Sequence, residues 1–146
     1  MVTLATFGPC GVVVPHVHPR ANEFLLITEG EASFSYVTEV GLVEGEASNP
    51  PIQGRLSKGQ GVLFPQGAIH TLVNDGPDCK PVTAVVSLSN SDPGTTPMVQ
   101  MPAGASGNAT NVPRQVDGTN VELLFPVLPP VLVEAAKKCL ARCNIA

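Results

Sequence analysis

The three histidines of this chain all lie in two short motifs that could together bind a metal ion. His16 and His18 precede Glu23 in the first motif, and His70 lies in a second, glycine-rich motif. Imidazole and carboxylate are ligands for zinc, iron, nickel and copper and, with more oxygen ligands, for manganese. Three imidazoles and one carboxylate leave positions open for water or substrate, which is typical of a catalytic rather than a structural metal site. The sequence therefore predicts one divalent transition metal held by these four residues.

The spacing of these residues favours β-strands. On a strand, His16 and His18 point to the same face, whereas on a helix they would lie roughly 200° apart, and the flanking prolines also disfavour a helix. A predicted turn after His18 returns Glu23 on a second strand, and a Pro-x-Gly turn leads into the strand that carries His70.

Short apolar segments at intervals of about 8–12 residues indicate a β-barrel or β-sandwich. The 15 prolines and 14 glycines are consistent with many short strands joined by tight turns. The predicted strands are Val2–Phe7, Gly11–His18, Glu23–Thr28, Glu31–Thr38, Arg55–Ser57, Gly61–Phe64, His70–Val73 and Val82–Ser89.

The length of 146 residues and the lack of an internal repeat predict a single domain, residues 1–146. Residues 90–120 are rich in Gly, Pro, Thr, Asn and Ser, which predicts an extended arm or a long loop. Residues 129–143 begin with two prolines and are predicted to form a C-terminal helix.

The composition argues against some classes of partner, and it does not decide whether the protein is secreted or cytoplasmic. The net charge of −4 gives no reason to expect nucleic acid or an anionic membrane surface as a partner, and no apolar run is long enough to span a membrane. No signal peptide is evident. We therefore expect a secreted protein if the chain is a mature or truncated form, and a cytoplasmic one otherwise.

The first motif is Pro15-His16-Val17-His18-Pro19-Arg20-Ala21-Asn22-Glu23 running on to Gly30, and the second runs from Gly59 to Asn74. Both motifs resemble the paired signatures of the cupin superfamily, and the defining positions of the second are occupied by Gly59, Pro65, Gly67, His70 and Asn74. The first glycine of the first motif, Gly11, stands one residue too close to His16. Further similarity, from about Val2 to the C-terminus, is to the germin-like and spherulin-like branch, especially its fungal members. The resemblance implies a jelly-roll β-barrel with manganese, iron or zinc at the site.

The side chains predicted to surround the metal are mostly aliphatic. By the two-residue period of a strand, each predicted ligand shares its face with its neighbours two and four positions away. These predicted pocket residues are Val12, Val14, Leu25, Ile27, Leu72 and Asn74.

The resemblance also implies an alternative activity. Germins can oxidise oxalate with asparagine side chains beside the substrate, and one of these lies three residues before the first histidine. This chain has Val13 there, and an aliphatic wall disfavours a small dianion.

We therefore expect a metal-dependent enzyme acting on a small, moderately apolar, oxygenated metabolite. Oxidation or dioxygenation is slightly favoured over isomerisation, dehydration or decarboxylation, in which Glu23 released from the metal could act as acid or base. The alternatives are an oxalate oxidase or decarboxylase and a non-catalytic ligand-binding or structural protein.

Two further expectations concern cross-links and assembly. If the histidine strands pair antiparallel, Cys10 and Cys79 come close enough for a disulfide, while Cys139 and Cys143 are near the distance limit within a helix. Four free thiols are the alternative. We also expect a homodimer or higher oligomer, because edge strands need cover, with residues 91–113 or the C-terminal helix supplying it.

Overall fold

The computed structural model describes residues 1–38, 50–99 and 115–145, and in these ranges the protein is mostly β-structure. One 3₁₀ helix, Gly118–Leu124, and one α-helix, α1 (Pro130–Cys143), follow the strands. The strands are β1 (Val2–Phe7), β2 (Val12–Val17), β3 (Glu23–Glu29), β4 (Glu31–Val37), β5 (Ile52–Ser57), β6 (Gly61–Phe64), β7 (Ile69–Val73), β8 (Val82–Leu88), β9 (Thr96–Pro97) and β10 (Gln115–Val116).

The strands form two antiparallel sheets that enclose the main core. One sheet has the order β1-β8-β3-β6, and the other has the order β10-β2-β7-β4-β5, with β9 also paired to β2. Alternate side chains of β8 are buried, as expected of a sheet with one face against a core. This arrangement confirms the predicted all-β jelly-roll fold with a short C-terminal helix. The largest fully buried apolar side chains of this core are Phe7, Phe64, Ile27, Leu72 and Val82.

A second apolar cluster joins α1 to the outside of the β2–β7 sheet. Val12 and Val14 of β2 and Val73 of β7 point to this side, where they pack with Leu132 and Ala136 of the helix. The helix begins with proline at its first position and ends where Asn144 adopts a left-handed conformation with φ of 52°. Helix α1 therefore covers a sheet face that would otherwise be exposed.

The position of Val12 and Val14 corrects the prediction that they face the metal. Val13 pairs with Leu72, but the next pair on the same two strands is His16 with His70. Strand β2 thus uses three residues where β7 uses two, which is a β-bulge. The extra residue reverses the alternation, so that Val13 shares the interior with the histidines and its two neighbours do not.

Residues 90–120, predicted to form an arm or a loop, contain two short strands, one on each side of residues 100–114. Strand β9 pairs with His16 and Val17, and β10 pairs with Val12 and Val13, so both flank β2. Residues 100–114, the middle of the predicted arm, lie outside the described residues. Within the described part of the chain, no helix is long and apolar enough to cross a membrane.

The four cysteines form two disulfides, and the predicted Cys10–Cys79 pair is wrong. Cys10 bonds to Cys139, and Cys79 bonds to Cys143. Cys10 and Cys79 lie in turns with positive φ, at 57° and 55°, and the two helix cysteines are one turn apart on the same face of α1. Each of the two turns is bonded to helix α1 and not to the other turn, at positions one helical turn apart.

Candidate metal centre

The four predicted ligands come from three different strands and meet inside the barrel. His16 of β2 lies directly opposite His70 of β7, His18 immediately follows β2, and Glu23 begins β3 in the other sheet. All four residues are buried, with 1–5% of their surface exposed. The structure thus brings together residues that the sequence separates by up to 54 positions (from 16 to 70).

The nitrogen and oxygen atoms of this cluster lie within bonding reach of a single ion. One ligand atom from each of the four residues lies within 4.8 Å of those of the other three. Glu23 Oε2 is 2.8 Å from His18 Nε2 and 3.3 Å from His70 Nε2. His16 Nε2 is buried and has no hydrogen-bond partner. A buried polar atom without a partner is costly, and a metal bond would satisfy it.

The other nitrogen of each ring is held by a backbone carbonyl. Nδ1 of His16 lies 2.8 Å from the oxygen of Val14, Nδ1 of His70 lies 2.9 Å from that of Ala68, and Nδ1 of His18 lies 2.5 Å from that of Gly94. A carbonyl can only accept, so each Nδ1 donates its hydrogen. When the rings are neutral, as metal binding requires, each has its lone pair on Nε2. Metal-binding histidines are commonly oriented in this way.

The electrostatics of the metal-free cluster also favour a cation. Burial, with a contribution from His70, lowers the pKa of His16 from 6.5 to about 3, so this ring stays neutral. Burial alone would lower the pKa of His18, but its hydrogen bonds with Glu23 and the Gly94 carbonyl outweigh burial and raise it. Burial alone would raise the pKa of Glu23, but hydrogen bonds from His18 and His70 lower it to about 2. The carboxylate is therefore charged over the physiological pH range.

A cavity of about 40 Å³ adjoins three of the four ligands, His16, His18 and Glu23. Of the predicted pocket residues, Leu25 and Leu72 line it, whereas Ile27 packs in the core. The sequence analysis did not predict the other residues that line the cavity. Several of them are alternate residues of β1 and β8, so the two-residue period of these strands could have identified them. The further lining residues are Met1, Thr3, Ala5, Phe7, Val13, Val86, Leu88 and Thr95.

Asn74, predicted to be the main polar group of the pocket, has a structural role instead. Its Nδ2 lies 2.8–3.2 Å from the carbonyl oxygens of Phe7, Gly8 and Lys80, and its Oδ1 accepts from the backbone N–H of Gly76. Strand β7 ends at Val73, so the strand alternation used for the prediction does not extend to residue 74. The side chain joins the β1–β2 connection to the β7–β8 connection beside the barrel.

The segment before β9 supports His18 from outside the ligand set. Gly94 supplies the carbonyl for the ring, and Thr95 Oγ1 lies 3.3 Å from the same Nδ1. Arg20 holds this segment through Nε to the Asp92 carbonyl and Nη2 to the Asp92 carboxylate, both at 2.8 Å. Arg20 therefore fixes a loop, and its guanidinium group is not among the groups that line the cavity.

Comparisons with known proteins agree with this architecture. The cupin family model matches residues 1–123. Spherulin-1B of Physarum polycephalum is 30% identical over 145 residues, which cover 99% of this chain and 55% of that protein. Germin-like protein 8-2 of Oryza sativa subsp. japonica is 38% identical over 88 residues, covering 60% of this chain and 37% of that protein. The chain thus spans about half the length, or less, of the curated relatives it matches.

Solved structures show the same fold. An oxalate oxidase in complex with the substrate analogue glycolate superimposes with a TM-score of 0.59 at 21% sequence identity, over 96% of this chain and 63% of that one. At this identity the likeness concerns the fold alone. Taken with the family match and with relatives that are spherulins and germin-like proteins, it shows that the chain belongs to the cupin family.

Proposed function

We propose that this protein is a metal-dependent cupin enzyme that acts on a small, moderately apolar, oxygenated metabolite. The observation that carries this proposal is the convergence of three imidazole Nε2 atoms and one carboxylate oxygen beside an apolar cavity. A bound manganese, iron or zinc ion would supply Lewis-acid chemistry or, for the first two, redox chemistry. His16, His18, Glu23 and His70 would hold it.

Glu23 fits the role of a ligand better than that of a general base. A carboxylate with a pKa of about 2 is a weak base at neutral pH, since proton transfer is most effective when the pKa lies near the working pH. The carboxylate of Glu23 also contacts the Nε2 atoms of His18 and His70. Apart from the ligands, no side chain lining the described cavity titrates near neutral pH. This scarcity of acids and bases favours oxidation or dioxygenation over isomerisation, dehydration or decarboxylation.

The walls of the cavity determine the class of substrate that we propose. Phe7, Val13, Leu25 and Leu72 are apolar, and Thr3 and Thr95 supply only hydroxyl groups. Such a site binds apolar surface well and uses few polar groups for orientation. A cavity of about 40 Å³ admits the reacting end of a metabolite and leaves the rest outside.

Oxalate chemistry is the alternative suggested by the structural neighbours, one of which is an oxalate oxidase. No arginine, lysine or asparagine side chain belongs to the described lining, and Val13 occupies part of it. A dianion would lose its hydration there, and beside the metal only the hydroxyl groups of Thr3 and Thr95, with no charged side chain, would compensate for that loss. We expect oxalate turnover to be absent or feeble.

The first experiment measures metal content. Purified protein should contain about one divalent transition metal per chain by elemental analysis, and His18→Ala should lose most of it because one of the four ligands is gone. Glu23→Gln should also lose metal. Glu29→Gln is the matched control, since Glu29 lies on the same strand but is exposed.

Activity then separates an enzyme from a non-catalytic binding protein. Metal-loaded protein is screened for oxygen consumption and product formation with small aldehydes, ketones, phenols and hydroxy acids, and with oxalate. Turnover that disappears in His18→Ala supports the enzyme. Binding of an apolar compound without turnover would instead favour a ligand-binding role. Unchanged metal content in His18→Ala would show that the site is assigned wrongly.

A further inference from the structure

The two disulfides that join helix α1 to the barrel differ in exposure. Cys10 and Cys139 are 0% and 1% exposed, whereas Cys79 and Cys143 are partly exposed. We call the Cys10–Cys139 bond the inner disulfide and the Cys79–Cys143 bond the outer disulfide. Exchange requires that the attacking thiolate contact a sulfur atom of the bond. An external reductant can therefore reach the outer disulfide of the folded protein, but not the inner one.

One sulfur atom of the outer disulfide lies against the inner disulfide. Sγ of Cys143 is 3.8 Å from Sγ of Cys139, which is close to van der Waals contact. The Sγ atoms of Cys10, Cys139 and Cys143 all lie within 4.8 Å of one another, and Cys79 is not a member of this group. Of the two cysteines in the outer disulfide, Cys143 is therefore the one placed to react with the inner disulfide.

The two cysteines of the barrel have an unfavourable backbone conformation. Cys10 and Cys79 have φ of 57° and 55°, in the left-handed region that residues with a Cβ atom adopt at a cost. Such a conformation persists where the surrounding structure imposes it, and each of these residues is tied to α1 through its sulfur. Breaking either bond removes one of these restraints, which favours an exchange that leaves Cys10 free.

We propose that Cys143 is the nucleophile of a thiol–disulfide exchange site through which an external dithiol opens the inner disulfide. The dithiol first reduces the outer disulfide: it supplies two electrons, becomes a disulfide itself and leaves Cys79 and Cys143 as thiols. Cys143 then loses its proton to solvent, and its thiolate attacks Sγ of Cys139. The Cys139–Cys143 bond forms, the Cys10–Cys139 bond breaks, and Cys10 leaves as a thiolate that takes up a proton. This second step neither adds nor removes electrons.

Helix geometry permits the bond that this exchange forms. Cα atoms four residues apart in an α-helix are separated by about 6 Å, inside the range of about 4.4–6.8 Å that disulfides span. The attacking sulfur must also line up with the bond that breaks. Cys143 is the last residue of α1, and once it is free of Cys79, rotation about its Cα–Cβ bond is the movement that this alignment requires.

A single two-electron reduction thus removes both covalent links between α1 and the barrel, because the new bond lies within the helix. The contacts that remain are noncovalent. Leu132 and Ala136 pack on β2 and β7, the strands of His16 and His70, and Nη2 of Arg142 donates to two backbone carbonyls that follow β7. The state of the outer disulfide therefore controls how firmly the helix covers the sheet that carries two of the candidate metal ligands.

Two single variants distinguish this relay from simple loss of the outer disulfide. Cys79→Ser and Cys143→Ser both lack that bond, but the first keeps the Cys143 thiol and the second keeps the Cys79 thiol. Each protein is incubated with dithiothreitol and a chelator at neutral pH and quenched with acid, and alkylation with peptide mass spectrometry then identifies the thiols. The inner disulfide should open about tenfold faster or more in Cys79→Ser than in Cys143→Ser.

The wild type tests the same step without a substitution. Its first partially reduced form should carry thiols at Cys10 and Cys79 and a Cys139–Cys143 bond. Thermal melts show that the variants are folded, and in concentrated urea, where burial no longer protects the inner disulfide, both variants should be reduced at the same rate. Equal rates in the two folded variants overturn the proposal. A wild-type intermediate with thiols at Cys79 and Cys143 and an intact inner disulfide overturns it as well.

Discussion

Acid should destabilise the metal-free protein through His16. The pKa of this ring is about 3 in the folded protein, whereas the unfolded chain has the ordinary histidine value of 6.5. Because the folded pKa is the lower one, the unfolded chain binds the proton first, and the free energy of unfolding falls as the pH drops from about 6.5 towards 3. At pH 5, about 1.5 units below the unfolded pKa, the loss attributable to this residue is about 2 kcal/mol.

The assay is urea unfolding in the presence of a chelator at pH 8 and pH 5, for the wild type and for His16→Gln. The wild type should lose about 2 kcal/mol more than the variant between the two pH values. His18 acts in the opposite direction, since its pKa is raised on folding, but it is present in both proteins. Glu23 contributes only below about pH 4.5. Equal losses in the two proteins would refute the argument that His16 is buried as a neutral ring.

Three further changes test other parts of the structure. Replacing both Cys79 and Cys143 by serine should lower the free energy of unfolding by about 4 kcal/mol in urea, because this disulfide closes a separation of 64 residues; a loss near zero would contradict its formation. Asn74→Ala should cost about 2 kcal/mol by leaving buried carbonyls without a donor, yet elemental analysis should find the metal retained. Val13→Phe should fill the cavity and block ligand binding, whereas Val14→Phe should overpack the face beneath α1 and cost about 1–3 kcal/mol in a thermal or urea melt. Blocked binding in the second variant alone would show that the bulge is misplaced.

Local features of the sequence were enough to predict most of the strands and to predict that the four ligands lie close together. The two-residue spacing of His16 and His18 needs only a strand to place both rings on one face, and the turn before His70 has clear glycine and proline signals. Strands β1 and β6 have the predicted bounds, and the other predicted strands differ by a few residues at their ends, but the short strands β9 and β10 were not predicted. These features depend on short-range patterns.

Features that depend on long-range packing could not be predicted in this way. The bulge in β2 is visible only as a mismatch between the register of β2 and that of β7, and its single extra residue reverses the predictions made by alternation for Val12 and Val14. The disulfide partners depend on where α1 docks. The expected pairing of the histidine strands predicted that Cys10 lies near Cys79, but it gave no information about the position of Cys139 and Cys143.

The Cys10–Cys139 bond has a consequence for a chain that is cut by a protease. This bond encloses nearly the whole sequence in one covalent ring, and residues 39–49 and 100–114 both lie inside it. A single cleavage in either segment would open the ring without releasing a fragment. On a non-reducing gel the nicked protein would remain one species of full mass, and two fragments would separate only after a thiol reductant had opened the disulfides that join them.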